Sequence, residues 1–591
     1  MIASHLIDLR QELARRGLQG FIVPRADEHL GEYVPAHAER LAWLTGFTGS
    51  AGLAIVLPER AAVFTDGRYV LQLDAQTNPA LWERRHIEQD PPHAWLAAHA
   101  PKGAAVGYDP LLMSEEALGR FTTAGLNMVA ARPNPLDAVW PDQPPPPLAA
   151  AVPHPLALAG KSGADKRTDI AAALRAAGTD AAIITDPASV AWLLNIRGGD
   201  VPFTPFALGF VIIHASGQCD LFMDAAKLSD ETRAWLGNTV SVRPPSFAPG
   251  EGLAAALAAL SGRRVLVSSS LSPAWFAQTL REAGATVIAG MDPCMLPKAS
   301  KNVVEQQGAR DAQARDAVAL CKFLHWLDSA AGRETEMSAA ERLLAFRAES
   351  PLLRGESFPA ISGAGEHGAI IHYRVSAETN RPIQPDEPYL VDSGAQYPDG
   401  TTDVTRTIWT GPGIPPRTLC ERFTRVLQGH IAIATLVFPE GVAGAHLDAF
   451  ARRALWQVGL DYDHGTGHGI GSYLSVHEGP VGLSRRAPPV AIGVGMILSN
   501  EPGFYAPGQY GIRLENLLLV QPKDFAAGGK KFLCFETLTL APFDRRLLLV
   551  EMLTADERAW LDAYHARVLR EVGPHVPGDV LAWLERACAP Q

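Results

Sequence analysis

At 591 residues the chain is too long for one hydrophobic core, and about two to four domains are expected. The balance of 47% hydrophobic and 19% charged residues is that of an ordinary globular protein. A net charge of -11 and a pI near 5.9 argue against nucleic acid or an anionic membrane as the main partner, since both select a basic face. The six cysteines contain no CxxC pair, which is poor material for a zinc site or a disulfide framework and suits a reducing, cytoplasmic setting.

The opening MIASHLIDLRQELARRG mixes charges through an amphipathic pattern. It has no apolar core of the kind a signal peptide needs. No uncharged apolar run is long enough for a membrane span. Residues 6–56 read as an amphipathic helix, a buried strand (GFIVP), then RLAWLTGFTGSAGLAIVL. Residues 167–213 repeat that order: RTDIAAALRAAGTD, AAIIT, then SVAWLLNIRGGDVPFTPFALGFVII. The following segments also match, AAVGYDP through NPLDAVW answering RVLVSS through GMDP, so two similar α/β domains are expected. Between them, PDQPPPPLAAAVPHPLALAG at 141–160 reads as an extended linker in which proline excludes a helix.

From about residue 302 the character changes. A long helical pattern, VVEQQGARDAQARDAVALCKFLHWLDSAA, leads into strands and glycine-rich turns that hold most of the chemically interesting His, Asp and Glu. The expected domains are 1–150, 151–301, 302–530 and a terminal segment 531–591 packed on the third.

YLVDSGAQYPDGTTDVTRTIW reads as two strands joined by a Pro-Asp-Gly turn,. A turn centred between Tyr397 and Pro398 would pair Asp392 directly with Asp403; a turn over YPDG would leave them diagonal. Either register puts both carboxylates on one face, roughly 5 to 8 Å apart. Flanked by Leu390, Val391 and Val404, two such charges repel unless a cation lies between them or one takes a proton. SNEPGFYAPGQYGIRLENLLLV places Glu501 and Glu515 around a turn near Pro507-Gly508. A loop centred on Gly508 would set these two opposite each other, at the mouth of a strand whose LLLV run is buried. A carboxylate there needs a partner.

The stretch HGTGHGIG, residues 464–471, is neither a phosphate loop, since no Lys-Ser/Thr follows, nor the HExxH of a zincin. Beside four carboxylates, one of its imidazoles would complete an oxygen-rich five-ligand set. Such a set suits two adjacent divalent ions such as Mn²⁺, Co²⁺ or Zn²⁺ better than a structural zinc.

In order along the chain, IIHY (370–373), VDSGAQYPDGTTDVTRT (391–407), HGTGHGIG, VHEGP (476–480), SNEPG (499–503) and GIRLEN (511–516) closely resemble the Xaa-Pro aminopeptidases. These are pita-bread metallopeptidases related to prolidase, methionine aminopeptidase and creatinase. LTGFTGSAG with FTDGRY resembles the first N-terminal domain of the long, three-domain cytosolic form. ETLTLAPFDRRLL through ALAWLERACAP resembles its C-terminal extension. The resemblance implies two creatinase-type α/β domains, a pita-bread α+β catalytic domain and the extension.

It further implies metal ligands at Asp392, Asp403, His468, Glu501 and Glu515. Asp403 and Glu515 would bridge two ions, most readily Mn²⁺; Asp392 would serve one ion, and His468 with Glu501 the other. His372, His464 and His477 match substrate-handling histidines, and Arg513 an arginine beside the bridging glutamate. Glu501 would also act as general base. The glycines of HGTGHGIG would let backbone approach the site and leave room for a peptide with proline in second position. A homodimer is implied as well. His367 stands where the family usually has Asn and Ala360 where Thr is common, which bears on the substrate pocket. The rival readings are a prolidase-type dipeptidase, a creatinase-like hydrolase, which discards the metal carboxylates, and an inactive peptide-binding copy, which loses ligands.

Overall fold

The structure, a computed structural model, describes residues 2–525 and 528–591. The chain forms two compact units, 1–156 with 161–295, and 157–160 with 296–591.

The first unit holds two six-stranded sheets of one topology. In the first, the strand order is Glu83–His86, Ala61–Thr65, Leu53–Val56, Gly20–Pro24, Ala105–Tyr108, Asn127–Ala130. In the second it is Val240–Arg243, Cys219–Phe222, Phe210–His214, Ala181–Ile184, Arg264–Val267, Thr286–Ala289. Each pairing has the same sense in both sheets, including one antiparallel and one parallel neighbour for the central strand. The leading helix Ile2–Arg15 buries Leu6, Leu9 and Leu13, the spacing of one helical face. Its counterpart, Gly163–Ala176, starts at Ser162, whose side chain accepts from Asp165 N,.

The proline-rich linker departs from expectation at its end. Val152–Pro153 pairs with Ile196–Arg197, and Leu156–Ala159 forms a turn of helix. Proline bars helix only at and before its own position, and the apolar LALA that follows Pro155 contains none.

In the second unit, the 25-residue helix Val303–Leu327 begins with a capping box between Asn302 and Glu305,. Strands Ile361–Ala364, Pro388–Ser393 and Val404–Trp409 form one small sheet. A six-stranded sheet runs Val437–Pro439, Phe532–Thr537, Asn516–Lys523, Ile497–Asn500, Gly467–Gly469, Glu478–Leu483. The terminal segment therefore begins as an inner strand of this sheet, bonded on both sides. It then adds helices Ala555–Val572 and Gly578–Ala587, whose Leu561, Tyr564, Val568 and Leu584 share a core with Phe423, Leu427 and Leu514.

Candidate metal centre

Two strand pairs bring the carboxylates together, and their registers differ in kind. Tyr397 pairs with Gly400 across the YPDG turn, and Asp392 lies opposite Thr405. Asp403, two residues before Thr405, is therefore the diagonal neighbour of Asp392. In the second pair, Gly503 faces Arg513 and Ala506 faces Tyr510, while Asn500 faces Asn516. Glu501 and Glu515 occupy the gap between these two paired segments, opposite each other in a register centred on Gly508. Backbone bonds fix both: Glu501 N donates to Thr466 O at 2.8 Å and Glu515 N to Thr405 O at 3.1 Å.

His468 enters from strand Gly467–Gly469. Its Nε2 lies 3.5 Å from Asp403 Oδ2 and 3.4 Å from Glu501 Oε1. Asp403, His468 and Glu515 each offer a ligand atom, all within 4.8 Å of one another. Asp392 is close enough for its charge to act on the three other carboxyl groups. Burial first, then their neighbours' charges, pushes Asp403 and Glu515 well above the usual carboxylate range. Burial also raises Glu501 to about 7, with Asp392 adding and Arg513, His477 and Ser499 opposing. Burial would lower the Arg513 guanidinium, but Tyr505, Asp392 and Glu501 outweigh it and push it up.

Four buried or half-buried carboxylates around one arginine make a site short of positive charge. Two of them also show how a cation would be held. Arg513 Nη2 binds Asp392 Oδ2 at 2.6 Å, and Thr405 Oγ1 donates to Glu515 Oε2 at 2.7 Å. Asp392 Oδ1 and Glu515 Oε1 are buried with no hydrogen-bonding partner among the described residues. One oxygen oriented and one left over is the pattern expected of a carboxylate poised for a metal. The donor set therefore fits divalent cations.

The two histidines of HGTGHGIG face different partners. His468 Nδ1 sits 3.0 Å from Gly469 O, so that nitrogen carries the proton and Nε2 presents its lone pair to the carboxylate cluster. His464 Nδ1 likewise bonds Gly465 O at 2.8 Å, but its Nε2 meets Tyr505 OH at 2.9 Å. Arg513 Nη1 donates to that same hydroxyl at 2.7 Å, and burial raises the phenol to about 12. Tyr505 therefore keeps its proton and donates a hydrogen bond to His464 Nε2. Arg452, from helix Asp448–Trp456, fixes this turn through Tyr462 O and His464 O.

His477 stacks edge-on against His468, ring centroids 4.3 Å apart. His372 lies on a separate, half-buried turn. Its loop reaches the site through Gly368, whose carbonyl abuts the backbone of Gly511 so closely that a Cβ there would clash. His367 turns toward the buried Glu336, at 2.8 Å, and packs on Tyr373.

The glycines of the motif let backbone approach, as expected. A Cβ on Gly467 would strike Ser499 O, and one on Gly469 would strike Glu478 O. They allow neighbouring strands to close on His468.

Sequence reasoning passed over Thr405, Ser499 and Tyr505. Ser499 Oγ accepts from His468 N at 2.9 Å and donates to Glu501 Oε1 at 3.1 Å. Thr405 and Ser499 each lie two residues from a carboxylate, hence on its face of the strand. That periodicity was the available signal.

Comparison with known proteins covers nearly the whole chain. A model of metallopeptidase family M24 matches residues 307–522, and models of the creatinase/prolidase N-terminal domain match 6–123 and 142–305. A model of the C-terminal region of peptidase M24 matches 531–591. A probable Xaa-Pro aminopeptidase P of Laccaria bicolor is 38% identical, with 99% of this chain and 93% of that protein aligned. The chain belongs to the Xaa-Pro aminopeptidase P family. Aminopeptidase P1 of Lotus japonicus is 36% identical over 97% of each chain. The X-prolyl aminopeptidase of Caenorhabditis elegans, described as a cytosolic enzyme with a di-nuclear active site, superposes over 100% of both chains with a TM-score of 0.94 at 32% identity. A Xaa-Pro dipeptidase of Bacillus anthracis covers 65% of this chain at 21% identity and a TM-score of 0.52, which is a likeness of fold. The family shares the architecture seen here: two creatinase-type domains before a pita-bread catalytic domain.

Proposed function

We propose that the protein is a metal-dependent aminopeptidase that releases the first residue from peptides with proline in second position. The observation that carries this is the convergence of His468 with four carboxylates, two of them with a buried oxygen left unbonded, in a chain alike from end to end to aminopeptidases P. Asp392, Asp403, His468, Glu501 and Glu515 would hold two divalent ions. The oxygen-rich set favours Mn²⁺, with Co²⁺ or Zn²⁺ as substitutes.

Bound ions supply Lewis-acid activation of water and of the scissile carbonyl. Glu501, oriented through Ser499, which also accepts from His468 N, would take a proton from the attacking water. His477, beside His468, would hydrogen-bond the oxyanion as it develops. Both ring nitrogens of His464 have partners, Tyr505 and Gly465, so His464 shapes the proline side. His372 would protonate the departing imide nitrogen, which carries no hydrogen of its own. Arg513 holds Asp392 and Tyr505 in a single grip.

A homodimer belongs to the same reading. Phe450, Trp456 and Val458 are exposed on and just beyond helix Asp448–Trp456 and are apolar side chains a second copy could cover. A cytoplasmic location is supported by six unpaired cysteines and by the cytosolic description of the nematode enzyme.

Hydrolysis of Arg-Pro-Pro and of an Xaa-Pro dipeptide, each with Mn²⁺ and with chelator, tests the proposal. Mn²⁺-dependent cleavage of the tripeptide is expected. Cleavage of the dipeptide alone would make the protein a prolidase, and no metal-dependent cleavage of either would make it a binding protein.

A further inference from the structure

Arg406 is fully buried at 0% exposure, on strand Val404–Trp409 and one residue beyond Thr405. Among the described residues its guanidinium has no carboxylate as a hydrogen-bond partner; every acceptor is a neutral oxygen. Two acceptors lie at the start of strand Asn516–Lys523: Nη1 donates to Glu515 O at 2.6 Å and Nη2 to Asn516 Oδ1 at 2.8 Å. Nη1 also reaches Thr405 O at 2.8 Å. Three acceptors belong to the terminal segment: Pro542 O at 3.1 Å, Ala541 O at 2.7 Å and Tyr564 OH at 3.1 Å. The ring of Phe543 lies beneath the guanidinium, 4.3 Å from its carbon.

The network continues on both sides. Tyr564 OH lies 2.9 Å from Ala541 O and 3.3 Å from Asn516 Oδ1. Asn516 Nδ2 meets His430 Nε2 at 3.1 Å, and His430 Nδ1 meets Leu514 O at 3.1 Å. Leu514, Glu515 and Asn516 are thus each held by a buried side chain from another element. A guanidinium removed from water is costly unless all its N–H groups are used. Here they are used only because the terminal segment supplies half the acceptors.

We propose that the terminal segment positions the metal centre, with two positioning residues: Arg406, which holds the Glu515 carbonyl, and Tyr564, which holds Arg406 and the Asn516 side chain. This rests on the reading of Glu515 as a metal ligand. The carboxylate of a metal ligand must be set to within a fraction of an ångström; Glu515 N is pinned to Thr405 O, and Glu515 O to Arg406, which Tyr564 and the terminal segment hold in turn. The segment would then contribute to metal affinity without supplying a ligand.

The test is Mn²⁺ titration by calorimetry of the full-length, chelator-stripped chain, comparing the parent with Tyr564→Phe, Phe543→Leu and Leu584→Ala. Tyr564→Phe keeps the ring stacked on Trp560 and removes only the hydroxyl; Phe543→Leu removes the ring face. Leu584 lies in the same core and its side chain can join none of the network's hydrogen bonds, so its variant reports loss of packing alone. Circular dichroism confirms that each variant is folded at the titration temperature. We expect Mn²⁺ affinity to fall about tenfold or more in whichever of the first two variants folds and to stay within about twofold in Leu584→Ala. Unchanged affinity in the first two, or an equal loss in Leu584→Ala, overturns the inference while leaving the proposed function standing. A parent chain that binds no Mn²⁺ overturns both.

Discussion

Arg513 and Asp392 are joined by a 2.6 Å hydrogen bond between two buried side chains, and the same guanidinium reaches Tyr505 at 2.7 Å and Thr405 at 3.3 Å. One planar fork thus orients a metal ligand, a hydroxyl that binds His464, and a hydroxyl that binds Glu515. Lysine carries the charge but not the fork. Arg513→Lys should retain bound metal and lose about ten- to a hundredfold in kcat/KM. Metal analysis with steady-state kinetics checks this; activity within about twofold of the parent would show that the fork is not needed.

The two histidines of one motif should fail differently. His468→Ala removes the imidazole that lies within 3.5 Å of Asp403 and Glu501 and should abolish metal-dependent activity together with tight metal binding. His464→Ala should keep its metal and chiefly raise KM for Xaa-Pro peptides. Equal loss of metal in both would reverse the assignment.

Tyr505→Phe breaks the link between Arg513 and His464 without emptying the space. It should shift kinetics as His464→Ala does and leave Mn²⁺ affinity within about twofold, since the hydroxyl touches no ligand atom. A loss of metal affinity comparable to His468→Ala would place Tyr505 among the groups that hold the ions.

Raised carboxyl groups make the metal-free protein pH-sensitive. Glu501 titrates at about 7 when folded and near the ordinary Glu value when unfolded. The folded state therefore binds the extra proton between those values, and its contribution to stability is present at acid pH and lost as pH rises toward 7. The thermal midpoint of chelated protein should fall across this window, less so in Glu501→Gln. Added Mn²⁺ must displace those protons, so its affinity should weaken as pH drops below about 7. A chelated midpoint that rises through the window equally in parent and Glu501→Gln would contradict this.

Gly467→Ala would drive a methyl into Ser499 O. Because the obstacle is backbone of a paired strand, the cost should exceed the about 1–3 kcal/mol of ordinary overpacking. Gly465→Ala, where a Cβ would meet Ser484 at 3.4 Å, should be nearly neutral. Thermal unfolding of the pair checks whether the glycines serve the sheet.

What could be read before folding was set by periodicity. Alternation along strands put Asp392 with Asp403 and Glu501 with Glu515, and it left only the choice of register open; the YPDG turn settled that for the first pair. The same alternation carried Thr405 and Ser499, which were overlooked because hydroxyls, unlike carboxylates, raise no question of charge when buried. Helix Leu156–Ala159 was lost to a reading of the linker by average composition, although its prolines end at 155. The roles of the glycines, of His367 against Glu336 and of Arg406 against Ala541, Pro542 and Tyr564 depend on contacts between distant segments. No local pattern announces these. The terminal segment showed the same limit, for nothing in its own residues says that it begins inside the catalytic sheet.

The central claim is that these five residues form a two-ion centre that cleaves before proline. It is tested most directly by titrating chelator-stripped protein with Mn²⁺ while following release of free arginine from Arg-Pro-Pro. Activity that starts from zero and saturates as a second ion per chain is bound is the predicted result. Full activity in excess chelator, or none at saturating Mn²⁺, would contradict the claim.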